Sequence, residues 1–291
     1  MLKSRTRAAT DFWGIEKVEQ VSASDRLIAP EILDDAFYEA LKGLGMFEDL
    51  NHVLEIGSSS GEGSTKALVS TLRLNRYNPV LHCLEVSRTR FAELQRAYQK
   101  YDFVRCYNVS SVGSSRVASE DEVRAFYNAH RTALNRYDLA TIFGWRAEGL
   151  RYLQDHPELD RDGIAEIKKA NGIEHFDLVL IDGSEFTGSA ELDDVYGAKI
   201  ICLDDTNAFK CYAARQRLMR DPLYENLADD QTLRNGYSIF CRTDAWGHWR
   251  TAKANAIESL RRAQESSRKR TLLVRAKRVG RRVLNAIRGR G

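Results

Sequence analysis

An α/β fold, an open and mostly parallel sheet with helices on both faces, follows from three features of this 291-residue sequence. Short apolar runs alternate with longer amphipathic stretches from about residue 52 to residue 220, the pattern of parallel strands joined by crossover helices. The first run, 53–56, ends in Gly57-Ser58-Ser59-Ser60-Gly61-Glu62-Gly63, and a helix can open at Ser64. A strand, a tight turn and a helix start in that order mark the place where such a sheet holds a nucleotide-like ligand. Two last runs, 224–227 and 237–241, flank a loop containing Arg234-Asn235-Gly236, so the sheet closes on an antiparallel pair.

Residues 30–41 read as a helix with Pro30 in its first turn, early acids suited to its dipole, and Leu33, Phe37 and Leu41 as a stripe. Strands are expected at 52–56, 80–86, 103–109, 176–183 and 199–205, with helices at about 64–74, 88–100, 190–196 and 208–220. The stretch 110–175 is longer than a crossover needs. Val123, Phe126, His130, Leu134 and Tyr137 fall at helical spacing within it, and a second helix runs through Leu150 and Leu153 to a break at 156–163. We read this stretch as an elaboration covering the site, with Trp145 and Arg146 as candidate substrate contacts and His130 as a packed core histidine. The domain division expected is 1–29 as an N-terminal extension, 30–249 as the folded unit and 250–291 as a tail.

The net charge of +3 conceals an asymmetry: from Arg250 onward 14 Lys/Arg face only Glu258 and Glu265, which is +12, and residues 1–249 carry −9. Leu272, Ala276, Val279, Val283 and Ala286 share one helical face of that tail. It suits an anionic membrane surface, nucleic-acid phosphates, or a solvated helix docking on the acidic body. The membrane is the preferred functional use, because stacking aromatics are missing after Trp249. No apolar run is long enough to cross a bilayer, and the basic start at 1–7 lacks the apolar core of a secretory signal. The five cysteines, at 83, 106, 202, 211 and 241, show no paired spacing, which predicts reduced, buried thiols and a cytoplasmic protein, peripheral at the inner membrane face if the tail is used.

The glycine loop selects its ligand by charge. Its glycines fall as G-x-x-x-G-x-G, not G-x-G-x-x-G, and Glu55 and Glu62 would set carboxylates near a pyrophosphate at ~1–4 kcal/mol each. S-adenosylmethionine carries no phosphate, and brings a cationic sulfonium, an ammonium and a ribose diol. Glu55 is expected near its amino-acid end and Glu85, closing strand two, at the ribose hydroxyls. Gly57, Ser59, Gly61, Gly63 and Ser64 complete the expected cofactor-binding set. The alternatives are that Glu55 caps the loop and that Glu85 is a strand end.

The motifs at 54–64, 84–85 and 180–185, the last reading Leu180-Ile181-Asp182-Gly183-Ser184-Glu185, resemble those of the Rossmann-like class I S-adenosylmethionine-dependent methyltransferases over residues 31–243. Within that class the chain is most similar to metal-dependent O-methyltransferases of small molecules and sugars, including catechol-type, macrolide-sugar and cephalosporin-hydroxylase-like members. These place a metal acid after strand four and an acid-led pair after strand five, positions held here by Asp182 and by Asp204-Asp205. The resemblance implies a seven-stranded sheet, an S-adenosylmethionine-dependent O-methyltransferase, and a hydroxylated small-molecule or glycan acceptor.

Strands four and five would be neighbours, so the three aspartates converge at one sheet edge and call for a cation. All-oxygen ligands favour Mg²⁺, Mn²⁺ or Ca²⁺. The alternative for Asp204-Asp205 is a helix N-cap. The catechol-type enzymes have a lysine three positions after the first metal acid, and this chain has Glu185 there. Asp182 and Glu185 are therefore the catalytic candidates, with the general base left open between Glu185 and a metal-bound carboxylate. Arg234 and Asn235 are expected to make the hairpin turn. Two other functions stay open: a methyltransferase-like binding or scaffold protein without turnover, and a nucleic-acid methyltransferase anchored by the tail. A homo-oligomer is also compatible with the sequence.

Overall fold

The computed structural model describes residues 25–246, so the start of the N-terminal extension and the basic tail lie outside the described residues. Seven strands, β1 (His52–Ile56), β2 (Val80–Leu84), β3 (Val104–Tyr107), β4 (Leu178–Ile181), β5 (Ile200–Asp204), β6 (Tyr224–Asp230) and β7 (Tyr237–Arg242), form one sheet in the order β3-β2-β1-β4-β5-β7-β6. All pairings from β3 to β5 are parallel, while β7 runs antiparallel to both β5 and β6. Strands β4 and β5 are buried at every position, as central strands covered on both faces must be.

The alternation within each strand assigns the two faces. Val53, Leu81, Cys83, Leu178, Leu180 and Cys202 pack with helices α1 (Ala36–Leu44), α2 (Ser64–Leu72) and α3 (Arg88–Tyr98). Leu54, Ile56, Leu84, Val179, Ile181 and Leu203 pack with α6 (Gly163–Asn171), α7 (Gly188–Val195) and α8 (Phe209–Arg220) on the other side. A third, smaller cluster joins α4 (Glu120–Ala129) and α5 (Leu139–Asp155) through Val123, Tyr127 and Ile142 to Phe186 and Phe209, which lie just past the carboxyl ends of β4 and β5. The long 110–175 stretch thus reaches over that edge.

Some boundaries differ from the sequence expectation, each for a local reason. Helix α1 begins at Ala36, not at Pro30, because the Asp35 carboxylate caps it by accepting from the Tyr38 amide at 2.8 Å. The helical spacing from Val123 to Tyr137 does not make one helix: α4 stops at Ala129, and Leu134 lies in a separate 3₁₀ turn capped by Thr132. His130 ends α4, with its ring 4.7 Å from that of Phe126 and 4.4 Å from that of Tyr212. Helix α6 was not expected; Ile164 and Ile167 hold it to the sheet. None of the five cysteines is in a disulfide, and only Cys106 is not fully buried. No helix among the described residues is long and apolar enough to cross a membrane.

Candidate functional site

The loop after β1 is held down by carboxylates. Glu55 is wholly buried, and its Oε2 accepts from the Ser58 hydroxyl at 2.8 Å and the Thr65 hydroxyl at 2.7 Å, with the Cys83 thiol at 3.5 Å. Burial raises its pKa against the pull of those hydroxyls. A carboxylate enclosed in this way braces the loop and reaches a ligand only through it, the capping role weighed above. Glu85, 5 % exposed at the end of β2, accepts from the Ser59 amide at 2.8 Å and the Ser87 amide at 2.7 Å. Each oxygen keeps a lone pair for a further donor. Burial raises the Glu85 pKa as well.

Gly57 joins this loop to the opposite half of the site. Its amide and that of Ser58 both donate to the Leu84 carbonyl of β2 at 3.0 Å. At φ +84° a Cβ here would stand 2.1 Å from the Asp182 carbonyl oxygen, so only glycine lets β1 turn beside β4. Gly61 is likewise shaped by packing, with Tyr98 in the space of its absent Cβ. Gly63 caps α2, and Ser64, 6 % exposed, is the first residue of that helix. Gly57, Ser59 and Gly63 are half-buried, so the loop presents its backbone at the surface of the edge.

On the far side the acids converge as expected, but the cation among them is the protein's own. Lys210, in the first turn of α8, sets its ammonium 2.9 Å from Asp182 Oδ1 and 2.6 Å from Asp205 Oδ2. Asp204, 5 % exposed at its side chain, is taken by Arg234, whose Nη1 lies 2.9 and 2.8 Å from its two oxygens. Asn235 donates to Asp205 Oδ1 at 3.0 Å. Glu185 accepts from the Tyr127 hydroxyl of α4 at 2.7 Å. Burial raises the pKa of Asp182 to about 7, outweighing Lys210, with Asp204 and Asp205 adding to the rise. Burial also raises Glu185 and Asp204, whereas Lys210 holds Asp205 below the usual range despite burial. The three aspartates keep Lys210 charged although burial opposes it.

The divalent metal expected on Asp182, Asp204 and Asp205 would have to compete with the protein's own cations at these carboxylates. Both Asp204 oxygens are committed to Arg234, and Lys210 fills the point at which Asp182 and Asp205 meet. The donor set does not fit a metal ion, and among the described residues no group of three His, Cys, Asp or Glu side chains is arranged to hold one. Nor do Asp204 and Asp205 cap the next helix: α8 starts after Ala208, without a side-chain cap. Arg234 and Asn235 do lie in the hairpin turn, but both also reach back to the aspartates. Arg146 is turned to the Ala118 carbonyl at 2.6 Å, and Trp145 packs edge-on against Tyr137 at 5.0 Å, so neither is needed to explain the acid edge.

Sequence reasoning missed Lys210 and Tyr127 because each lies in a segment read only as a helix. An acid-rich edge with no assigned counter-charge was the available signal. Glu191, wholly buried on α7, was also missed; it accepts from the Ser111 hydroxyl at 2.5 Å and the Thr187 hydroxyl at 2.8 Å beneath Gly183.

No protein-family model matches the chain, and no curated protein matches it. Solved structures do. A methyltransferase from Geobacter sulfurreducens is 11 % identical at a TM-score of 0.44, covering 72 % of this chain and 81 % of its own. The O-methyltransferase from Bacillus cereus in complex with SAH is 14 % identical at 0.44, covering 75 % and 83 %. The Streptomyces achromogenes O-methyltransferase of tomaymycin synthesis, in complex with SAM, is 15 % identical at 0.40, covering 75 % and 82 %. At such identities and scores the likeness bears no weight on activity. The strand order, with its single reversed strand β7, decides the architecture. The fold is a Rossmann-like, seven-stranded and mostly parallel α/β sheet closed by an antiparallel pair.

Proposed function

We propose that the protein is an S-adenosylmethionine-dependent O-methyltransferase acting on a hydroxylated small molecule or a glycan sugar. The observation that supports this most is the junction at Gly57. There the loop held by Glu85 and the charged cluster of Asp182, Glu185, Asp205 and Lys210 adjoin across one strand.

The residues present fit the methyl donor. Glu85 offers two carboxylate oxygens at the place a ribose diol would take, and the half-buried backbone of Gly57, Ser59 and Gly63 lies beside it. The amino end of α2, a nine-residue helix without a side-chain cap, suits the donor's carboxylate. When bound, the donor supplies a methyl group on a positively charged sulfur for attack by an acceptor oxygen. The chain's own share is to hold that oxygen and receive its proton. Asp182, with its pKa raised to about 7, is suited to accept a proton near neutral pH. Of the three N–H donors of Lys210, two are met by Asp182 and Asp205, and we assign the third to the acceptor oxygen. Tyr127 and Phe186 wall the cluster from the α4 side. Orientation alone is worth ~7–11 kcal/mol of barrier in well-placed reactions, so a transfer needing little more chemistry is within reach of this site.

Titration calorimetry with S-adenosylmethionine tests the reading. The wild type should bind and Glu85→Ala should bind at least about tenfold more weakly, the loss of a charge-assisted pair. Absence of binding by the wild type, or unchanged binding by the variant, removes the assignment. For the tail we propose an anchoring role at an anionic inner-membrane surface, which its charge alone supports.

A further inference from the structure

We propose that Lys210 is the built-in cation of this site, filling the point that a divalent metal would otherwise take between Asp182 and Asp205. The site then works without a metal and gains metal affinity only when Lys210 is removed. The inference deepens the methyltransferase reading by specifying how the acceptor end is neutralised, and its central measurement does not depend on that reading.

The geometry carries it. Asp182 comes from the end of β4, Asp205 from just past β5, and one oxygen of each lies within 2.9 Å of the same nitrogen. Two carboxylates brought together this closely require a counter-charge, and an ammionium whose side chain is only 10 % exposed supplies it. The backbone that carries the lysine is closely packed. Gly188, opening α7, lies so close to the first turn of α8 that a Cβ there would meet the Lys210 carbonyl oxygen at 1.9 Å. This close packing fixes the backbone from which the ammonium projects. Asp204 cannot substitute as a ligand while Arg234 spans both of its oxygens. Removal of Lys210 alone would leave Asp182 Oδ1 and Asp205 Oδ2 facing one vacated point, with Glu185 in the same cluster. Hard oxygen ligands around such a point suit Mn²⁺ or Mg²⁺.

A consequence for the acceptor follows. A metal chelates two adjacent oxygens at once, whereas an ammonium with one donor left addresses a single oxygen. An acceptor with one hydroxyl therefore meets the demands of this site, and a vicinal diol is not required.

The test is Mn²⁺ binding, followed by electron paramagnetic resonance and by calorimetry on the full chain. Wild type should bind Mn²⁺ only weakly, with no dependence on Asp182, while Lys210→Ala should bind Mn²⁺ at least about tenfold more tightly, and Lys210→Ala with Asp182→Asn should lose that gain. Lys210→Gln, neutral and of similar reach, makes the same comparison if the alanine variant does not fold. Wild-type Mn²⁺ binding that Asp182→Asn abolishes would overturn the proposal, as would a folded Lys210 variant that gains no affinity. Failure of S-adenosylmethionine to bind would overturn the methyltransferase reading and leave the Mn²⁺ result standing by itself.

Discussion

At the scale of single residues, charge and its burial decide the chemistry. Asp182, Asp204 and Asp205 carry the same type of side chain, yet two meet a lysine and one meets an arginine. The same logic applies away from the edge at His82, wholly buried on β2, with its ring nitrogens 3.0 Å from the Tyr107 hydroxyl and 3.3 Å from His52 Nδ1. Burial lowers its pKa from 6.5 to about 4, with the His52 and Arg105 charges adding to the effect. The native state therefore binds fewer protons than the unfolded chain between these values. This contribution to stability is whole above pH 6.5 and is lost as pH falls towards about 4. The loss amounts to at most about 3 kcal/mol. Urea unfolding at stepwise pH should show the decline, and His82→Gln should flatten it. A wild-type curve flat across this range would contradict the assignment.

Elements are tied together by Arg234. Its Nε donates to Asp35, the N-cap of α1, at 2.9 Å, while its Nη1 holds Asp204 at the end of β5. One side chain in the β6–β7 turn therefore locks a helix start and a central strand end. The residue keeps φ at +52°, a conformation that the turn imposes and most side chains avoid. Arg234→Ala would leave the Asp35 and Asp204 carboxylates, 13 % and 5 % exposed, without their partner. A cost of about 3 kcal/mol is expected in chemical denaturation, since an uncompensated buried charge is worse than none. Arg234→Lys should recover only part, because an ammonium cannot span Asp204 and Asp35 as the guanidinium fork does. A cost below about 0.5 kcal/mol for the alanine variant would mean that the lock contributes nothing.

For the whole molecule, the contrast is between a net −9 over residues 1–249 and +12 from residue 250 onward. Such a tail at an anionic surface gains ~1 kcal/mol per Lys/Arg close to the headgroups. Sedimentation with vesicles containing phosphatidylserine should capture the full chain at low salt and release it as salt rises. Deletion of residues 252–291 should abolish capture. Equal capture of both proteins would end the membrane proposal, and salt-sensitive RNA binding lost with the same deletion would favour the nucleic-acid alternative.

Much of the architecture was legible in the sequence, because apolar period and glycine position are local signals. The runs at 52–56, 176–183 and 199–205 read as strands on their own residues and contain β1, β4 and β5, and the 57–63 loop announced itself by its small residues. The sequence alone also determined that three aspartates would end two neighbouring strands. What only the tertiary structure decided is what neutralises them. Lys210 and Arg234 lie in a helix and a turn, and their local sequence does not say which way an ammonium or a guanidinium will point. That choice depends on the packing of α8 against α7 and of the β6–β7 turn against α1. Charge pairing is set by distance in space, and distance in space is what a one-dimensional pattern leaves open.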